Sequence, residues 1–452
     1  MIECMITAPA SGSGKTMVTC ALLTALKQRG LHPCAFKCGP DYIDPMFHQA
    51  VLGVESRNLD LFLAKRDTVQ DLYARGCTGH HAAVCEGVMG YYDGVGGVTD
   101  QASAWSVADL LGIPALLVLR PRGASLTLAA QVKGLCGFRT PSHLAGILLN
   151  DCGEAYYRKL KPMLEEETGL PVLGYLPHLP QAEVKSRHLG LYTARELDDM
   201  TERMDILARR MEETVEVDRL LTLTKRDRRP AAVTPQPPAR VRIGVARDAA
   251  FSFWYHETGE ALERAGAELA VFSPLEDAAL PPKVSALYLP GGYPERYAAA
   301  LSANETMRGA VRKAVEDGMP VVAECGGFLY LGQSLQGEDG VWYPMAGCLP
   351  GRGAGKGRLV RFGYAALTAH HNSLLFQTGE TIPAHEFHYW DSTENGEDLT
   401  ARKPMTDQSW ACGYATETLY AGFPHLYFAG SPQLGARLVA AARNYGEKQP
   451  WN

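Results

Sequence analysis

Ile2-Glu-Cys-Met-Ile-Thr-Ala-Pro-Ala-Ser-Gly-Ser-Gly-Lys-Thr16 decides the fold of the first half of this chain. Ile2 to Ala8 is a short apolar run of strand length. Val18, Leu22, Leu23 and Leu26 then mark one face of a helix that stops at Gly30. Strand, glycine loop and helix in that order are the context a Walker A motif requires. Pro9 stands where the usual pattern has its first glycine. Gly12, Ser13 and Gly14 still allow the tight turn that aims backbone N–H groups at phosphates, at the positive end of a helix. Lys15 is placed to reach the β- and γ-phosphates and Thr16 to ligate Mg²⁺. A nucleotide-binding domain is the expectation.

Outward from this stretch, apolar strands alternate with helix-length segments, the signature of a doubly wound parallel sheet. Strands are expected over Pro33–Lys37, Ala82–Cys85, Ala115–Leu119, Leu144–Asn150 and Pro171–Leu176, and a helical, heavily charged stretch over Leu197–Leu223. Open α/β sheets keep their sites beyond the carboxyl ends of the strands. The second strand opens there into Lys37-Cys-Gly-Pro-Asp-Tyr-Ile-Asp-Pro45. Lys37 and Asp41 are site candidates, with Tyr42 beside them, while turn chemistry alone accounts for Gly39, Pro40 and Asp44. Glu86 ends the third strand, where a buried acid is costly unless paired or serving a metal. It is therefore a Walker B type candidate for Mg²⁺, directly or through water. Asp93, in the following glycine-rich loop, either faces a substrate or forms a turn. Asn150 either contacts the adenine ring or caps a helix.

At 452 residues the chain is expected to hold two domains. Lys225 to Pro238 is basic and proline-rich, reading as a semi-rigid linker. The expected boundaries are 1–224, a linker at 225–239 and 240–452. The composition, 46% apolar and 21% charged, is globular. A net charge of -6 argues against a nucleic-acid partner. The longest apolar runs, such as Ile113 to Leu119, fall far short of the roughly 20 residues of a membrane span, and the start lacks a basic n-region, so no membrane association is expected. Eleven scattered cysteines fit reduced thiols in the cytoplasm better than a disulfide framework. His32, Cys34 and Cys38 lack the second ligand pair a zinc site needs.

The second half carries Pro320-Val-Val-Ala-Glu-Cys-Gly-Gly327. A buried strand ends at Cys325 with small residues on both sides, the spacing of a nucleophile elbow. Pro290-Gly-Gly-Tyr-Pro-Glu295 ends an earlier strand with a glycine loop suited to an anion. A cysteine nucleophile needs a base from elsewhere in the fold. Thirteen histidines compete; His425 is the choice, with His370, His371, His385 and His388 as rivals. His385-Glu-Phe-His388 fails as a zinc motif because its histidines are three apart on a segment that favours a strand. Gly351 to Arg358 is a basic loop, either a solvated hairpin or a means of steering an acidic substrate.

Taken together, Ser11–Thr16, Lys37–Pro45, Arg57-Asn-Leu-Asp60, Glu86-Gly-Val-Met-Gly90, Leu289–Glu295, Glu324-Cys-Gly-Gly327 and His385–Tyr389 resemble the cobyrinate a,c-diamide synthases, in that family's order and over nearly the whole chain. The resemblance implies an ATP-dependent amide-forming domain similar to dethiobiotin synthetase, joined to a class I type glutamine amidotransferase domain. It implies that Cys325 attacks glutamine with His425 as base, and that N–H groups at Gly292 and Gly326 bind the oxyanion. Ammonia, from glutamine or supplied free, would then amidate the a and c side chains of a tetrapyrrole polycarboxylate, cobyrinic or hydrogenobyrinic acid, through an acyl phosphate. ATP and Mg²⁺ are implied, with Thr16, Asp41 and Glu86 toward the metal. Cobyric acid synthase and nickel-sirohydrochlorin a,c-diamide synthase share the architecture. A partitioning-type P-loop ATPase is the rival from another class, although such proteins place an extra lysine where this chain has Ala8, Pro9 and Ala10. Many related glutaminases carry a glutamate two residues after the histidine. Tyr427 stands there, which leaves the orienting third group open. Oligomeric state is open too, a homodimer being one option.

Overall fold

The strands of the first half read as unbroken apolar runs because helices cover both faces of their sheet. β2 (Pro33–Cys38), β4 (Ala82–Glu86) and β5 (Ala115–Leu119) are buried at every residue, and β1 (Ile2–Thr7) at all but its first. The computed structural model describes residues 1–180, 194–227 and 239–449. It divides into two compact units, Met1–Val233 and Thr234–Asn452.

In the first unit β1 leads through α1 (Lys15–Gln28) to β2, α2 (Ile43–Ala50), β3 (Ser56–Leu59), α3 (Arg66–Gly76) and β4. α4 (Ala104–Leu111), β5, α5 (Leu126–Phe138), β6 (Leu144–Asn150), α6 (Glu154–Thr168) and β7 (Val172–Leu176) follow, then α7 (Ala194–Thr214) and α8 (Val217–Leu223). The sheet order is β3-β2-β4-β1-β5-β6-β7, and every pairing is parallel. The chain passes from one side of β1 to the other between β4 and β5. Such a switch point opens a crevice at the strands' carboxyl ends, where the P-loop, Lys37 and Glu86 converge.

The structure adds to the sequence reading at three places. β3, Ser-Arg-Asn-Leu, lacks the apolar signature of a strand yet is fully buried. Its polarity is satisfied locally, since Asn58 donates to the carbonyls of Gly39 and Asp41 at 2.8 Å each. The helical stretch expected over Leu197–Leu223 is present as two helices, α7 and α8. It breaks where Val215 bridges Gly174 of β7 and the Glu216 N–H donates to the Leu173 carbonyl at 2.7 Å. Lys225 and Arg226, assigned to the linker, belong to the first unit: Lys225 bridges Ile2 and the Arg226 N–H donates to the Met1 carbonyl. Most of the linker, at 228–238, lies outside the described residues.

The second unit opens with β8 (Val241–Ala246), α9 (His256–Arg264), β9 (Ala267–Phe272), β10 (Ala286–Leu289), α10 (Ala298–Ala303), α11 (Glu305–Glu316), β11 (Val321–Glu324) and α12 (Gly326–Leu331). A β-rich stretch follows: β12 (Ser334–Gln336), β13 (Trp342–Pro344), β14 (Arg352–Gly355), β15 (Arg361–Ala369), β16 (Thr381–His388), β17 (Trp390–Ser392), β18 (Leu399–Arg402), β19 (Ser409–Cys412), β20 (Tyr414–Ala415), β21 (Leu419–Gly422) and β22 (His425–Leu426). α13 (Pro432–Gly446) closes the unit. The central sheet, β20-β21-β11-β10-β8-β9, is parallel except at β20. An antiparallel sheet, β19-β18-β15-β16-β22, shares its core, and a smaller sheet runs β13-β12-β14-β17. The basic loop at Gly351 is therefore partly a strand, with Arg352 stacked 4.2 Å from the Trp342 ring centroid.

In the first unit, Leu207 of α7 is fully buried in the core that α1 shares. Leu207→Ala should lower that unit's stability by about 2–5 kcal/mol. Urea unfolding checks this, with the second unit's transition left in place.

Candidate active sites

The first site is a cavity of ≈ 590 Å³ lined by the P-loop, Lys37, Asp41, Asp44, Glu86, Arg120 and Asn150 among others. Gly12 and Gly14 hold φ of 76° and 98°, a region that glycine enters without strain. A Cβ on Gly14 would lie 2.0 Å from Asn150 Nδ2, so this glycine is also required by close approach. Asn150 donates to the Ser13 carbonyl at 3.0 Å and thereby ties the end of β6 to the P-loop. It caps no helix, since Gly153 takes that position at α6. Its Oδ1 is buried without a hydrogen bond, which leaves an acceptor for an exocyclic amine. Lys15 donates to the carbonyls of Met89 at 2.5 Å and Ala10 at 3.2 Å. Burial, and then Lys37, lower its pKa to about 8.

Behind the P-loop lies a buried charge cluster. Lys37 reaches Asp44 Oδ2 at 2.5 Å and Glu86 Oε1 at 2.8 Å, and Thr16 donates to the same Glu86 oxygen at 2.6 Å. Burial opposes the charge on Asp44, but the adjoining Lys37 ammonium holds its pKa below the usual carboxylate range. Burial and then Asp44 push Glu86 up to about 7, and the same two causes push Asp41 up to about 6. Burial lowers His48 to about 4, leaving a neutral ring 3.8 Å from Glu86 Oε2.

Among the described residues, no three His, Cys, Asp or Glu side chains are grouped to hold a metal by themselves. Mg²⁺ does not ask for that, because it is commonly held by one or two protein oxygens, phosphates and water. The hard donors Thr16 Oγ1 and Glu86 suit it, and Glu86 Oε2 is buried with no hydrogen bond to satisfy it. Asp41 also works as a turn residue, accepting the Ile43 N–H at 2.8 Å.

Asp44, set aside as a turn former, is the residue that the sequence undervalued. It is buried and ion-paired inside the site. The two substrate candidates are placed as follows. Tyr42 is 7% exposed and is not among the residues that line the cavity. Asp93 accepts the Gly90 N–H at 2.8 Å and lies close enough to Lys15 to act on its charge.

The second site is built on Cys325. Its φ of 47° and ψ of -99° place it at a sharp corner between β11 and α12, a conformation costly for a residue with a Cβ. The glycines that follow are dictated by contact: a Cβ on Gly327 would lie 2.1 Å from the Leu289 carbonyl oxygen, and one on Gly326 2.9 Å from Pro294 and 3.0 Å from the Gly292 nitrogen. The Gly292 nitrogen thus lies against Gly326, and the Gly326 N–H hydrogen-bonds the sulfur. Burial, followed by Glu295, nonetheless drives the thiol pKa well up, so the resting sulfur keeps its proton and needs a base.

His425 of β22 is the histidine that adjoins it. A Cβ on Gly291 would touch both His425 Cε1, at 2.5 Å, and Cys325 Cβ, at 3.4 Å. Three of the rivals are otherwise engaged. His370 and His371 hydrogen-bond Thr400 Oγ1 and the Ala415 carbonyl, and His388 lies flat on Phe423 at 3.8 Å. His385 is the cross-strand partner of His425, its pKa lowered to about 3 by burial and then by His425. Tyr427 is buried edge-on against Tyr255. Glu324, to which the sequence assigned no role, stands 3.6 Å from His425 Nδ1. The signal was available: it too is an acid at the tip of a buried strand.

Lys37→Met would leave Asp44 and Glu86 buried without their cation. Such a break costs about 3–5 kcal/mol. Thermal and urea unfolding of the variant should show this loss in the first unit's transition, and Lys37→Met combined with Glu86→Gln should recover part of it.

Residues 4–191 match the CobQ/CobB/MinD/ParA nucleotide binding domain, and residues 242–433 match the CobB/CobQ-like glutamine amidotransferase domain. A cobyrinate a,c-diamide synthase of Salmonella typhimurium is 39% identical over 443 residues, 96% of this chain and 96% of that protein. The enzymes of that name from Clostridium acetobutylicum and Priestia megaterium are 38% and 34% identical, covering 97% and 95% of this chain and 100% and 95% of theirs. A partitioning-type ATPase would account for the first match alone, whereas these alignments run through both units. The chain belongs to the cobyrinate a,c-diamide synthases, a family of glutamine-dependent amido-ligases.

Proposed function

We propose that the protein amidates the a and c side-chain carboxylates of cobyrinic or hydrogenobyrinic acid, using ATP and a nitrogen drawn from glutamine. In the second unit His425 takes the Cys325 proton as sulfur attacks the glutamine carboxamide. The tetrahedral oxyanion rests on the N–H groups of Gly292 and Gly326, each worth roughly 3 kcal/mol. Collapse releases ammonia, which takes its last proton from His425 and leaves a thioester. Water then attacks the thioester, returning a proton to sulfur and freeing glutamate.

In the first unit a substrate carboxylate takes the γ-phosphoryl group of ATP and becomes an acyl phosphate, with ADP leaving. Ammonia adds at the acyl carbon and inorganic phosphate departs, giving the amide. Lys15, whose ammonium is held by backbone carbonyls in the free protein, exchanges them for phosphate oxygens. Lys37 balances negative charge at the same end of the sheet. Thr16, Glu86 and Asp41 are the residues for Mg²⁺, which neutralises the β- and γ-phosphate oxygens when bound. The Asn150 amide oxygen is left for the adenine. The cytoplasm is the proposed compartment, which suits the eleven free cysteines; no helix among the described residues is long and apolar enough to cross a membrane.

The observation that carries this reading is the strained Cys325 with its adjoining histidine, in a chain whose other unit holds a P-loop over a buried lysine–carboxylate cluster. A phosphate-transfer site and a glutaminase carried by one chain are what an amide-forming enzyme needs. Purified protein given ATP, Mg²⁺, glutamine and cobyrinic acid should yield the diamide, ADP and glutamate, and sirohydrochlorin assayed in parallel should not be amidated. Cys325→Ala should abolish glutamine use and leave amidation with free ammonia intact. Loss of both activities in a folded variant overturns the division of labour.

A further inference from the structure

In the second unit Glu324 is 3% exposed and His425 1% exposed, and Glu324 Oε2 lies 3.6 Å from His425 Nδ1. The carboxylate is anchored on its other side. Its Oε1 accepts the Leu426 N–H at 2.9 Å, one residue beyond the histidine, and the Tyr288 hydroxyl donates to it from β10. No lysine or arginine among the described residues pairs with it. A carboxylate this deeply buried without a permanent cation is costly. The group that stands beside it is the His425 ring.

We infer that Glu324 is the positioning residue of the glutaminase site, holding His425 with its proton on Nδ1 so that Nε2 faces Cys325. This rests on the proposed glutaminase role of Cys325 and His425. The carboxylate comes from the strand that bears the nucleophile, one residue before it, instead of from the histidine's own strand, where Tyr427 is committed to Tyr255. A carboxylate in this place selects the productive tautomer and stabilises the imidazolium that forms when sulfur gives up its proton. The 3.6 Å separation is a ligand-free one, and such contacts tighten in the substrate complex. The fold accounts for the geometry. Glu324 is the last residue of β11 and pairs in register with Gly422 of β21, and only two residues separate Gly422 from His425.

Glu324→Gln separates orientation from architecture, because the glutamine Oε1 still accepts the Leu426 N–H while its amide offers Nδ1 a donor in place of an acceptor. Glutamine-dependent kcat should fall about 100- to 10,000-fold, with the KM for glutamine little changed and ammonia-dependent amidation retained. A kcat within twofold of the parent, or a loss confined to KM, overturns the inference. Should that variant not fold, the parent protein decides. With ¹⁵N-labelled histidine, long-range proton–nitrogen spectra should show neutral His425 protonated on Nδ1, and protonation on Nε2 overturns the inference. Cys325→Ala run alongside keeps the two readings apart. If it still uses glutamine, the glutaminase assignment itself fails. If it does not and Glu324→Gln does, only the role of Glu324 fails.

Discussion

Glu86 and Glu324 each end a central parallel strand, at 0% and 3% exposure, and each site is arranged as the answer to that burial. A carboxylate taken out of water costs several kcal/mol unless charge or hydrogen bonds replace what water gave. For Glu86 the replacement is permanent. Lys37 from the neighbouring strand and Thr16 from the P-loop converge on one oxygen, and the other is left open. For Glu324 the replacement is partial, a backbone N–H and a tyrosine hydroxyl, with a histidine at ion-pair distance. The first arrangement suits holding a cation and phosphates. The second suits a charge that appears only during turnover.

Backbone close approach sets the rest of both sites. Gly14 leaves room for Asn150 in the first unit, while Gly291 and Gly327 in the second let a histidine ring, a cysteine and a carbonyl come within contact distance. At these positions the absent side chain is what allows the functional atoms to meet. Cys325 is the exception that pays conformational strain, carrying its Cβ at a φ of 47°. The parallel pairing of β11 with β10 and β21 holds the corner against relaxation.

The architecture of the first unit was legible because a sheet covered on both faces writes itself as apolar runs, and β1, β2, β4, β5 and β6 all lie where those runs do. β3 was not legible, since Ser56, Arg57 and Asn58 satisfy their polarity inside the fold in ways no local pattern reports. The break at Val215 escaped notice for a related reason. Its cause is a bridge to Gly174, forty-one residues earlier in the chain. The extent of the antiparallel sheet around β15 and β16 was likewise hidden among short strands of mixed polarity. In the sites, the P-loop, Cys325 and Glu86 stood out because glycine spacing and strand-end acids are local signals. Asp44 did not, because a turn aspartate and a buried ion-paired one look the same until the partner lysine is placed.

By itself, then, the sequence determined the two α/β units, the phosphate loop, the cysteine corner and the resemblance that its motifs carry. Each of these depends on residues within a few positions of one another, where backbone sterics and side-chain periodicity act directly. Tertiary structure alone decided which of thirteen histidines adjoins Cys325, that Asp44 belongs to the charge cluster, and that a glutamate next to the nucleophile lies 3.6 Å from the histidine. Those are encounters between strands distant in sequence. Their energies depend on burial and separation, which exist only once the sheet has formed.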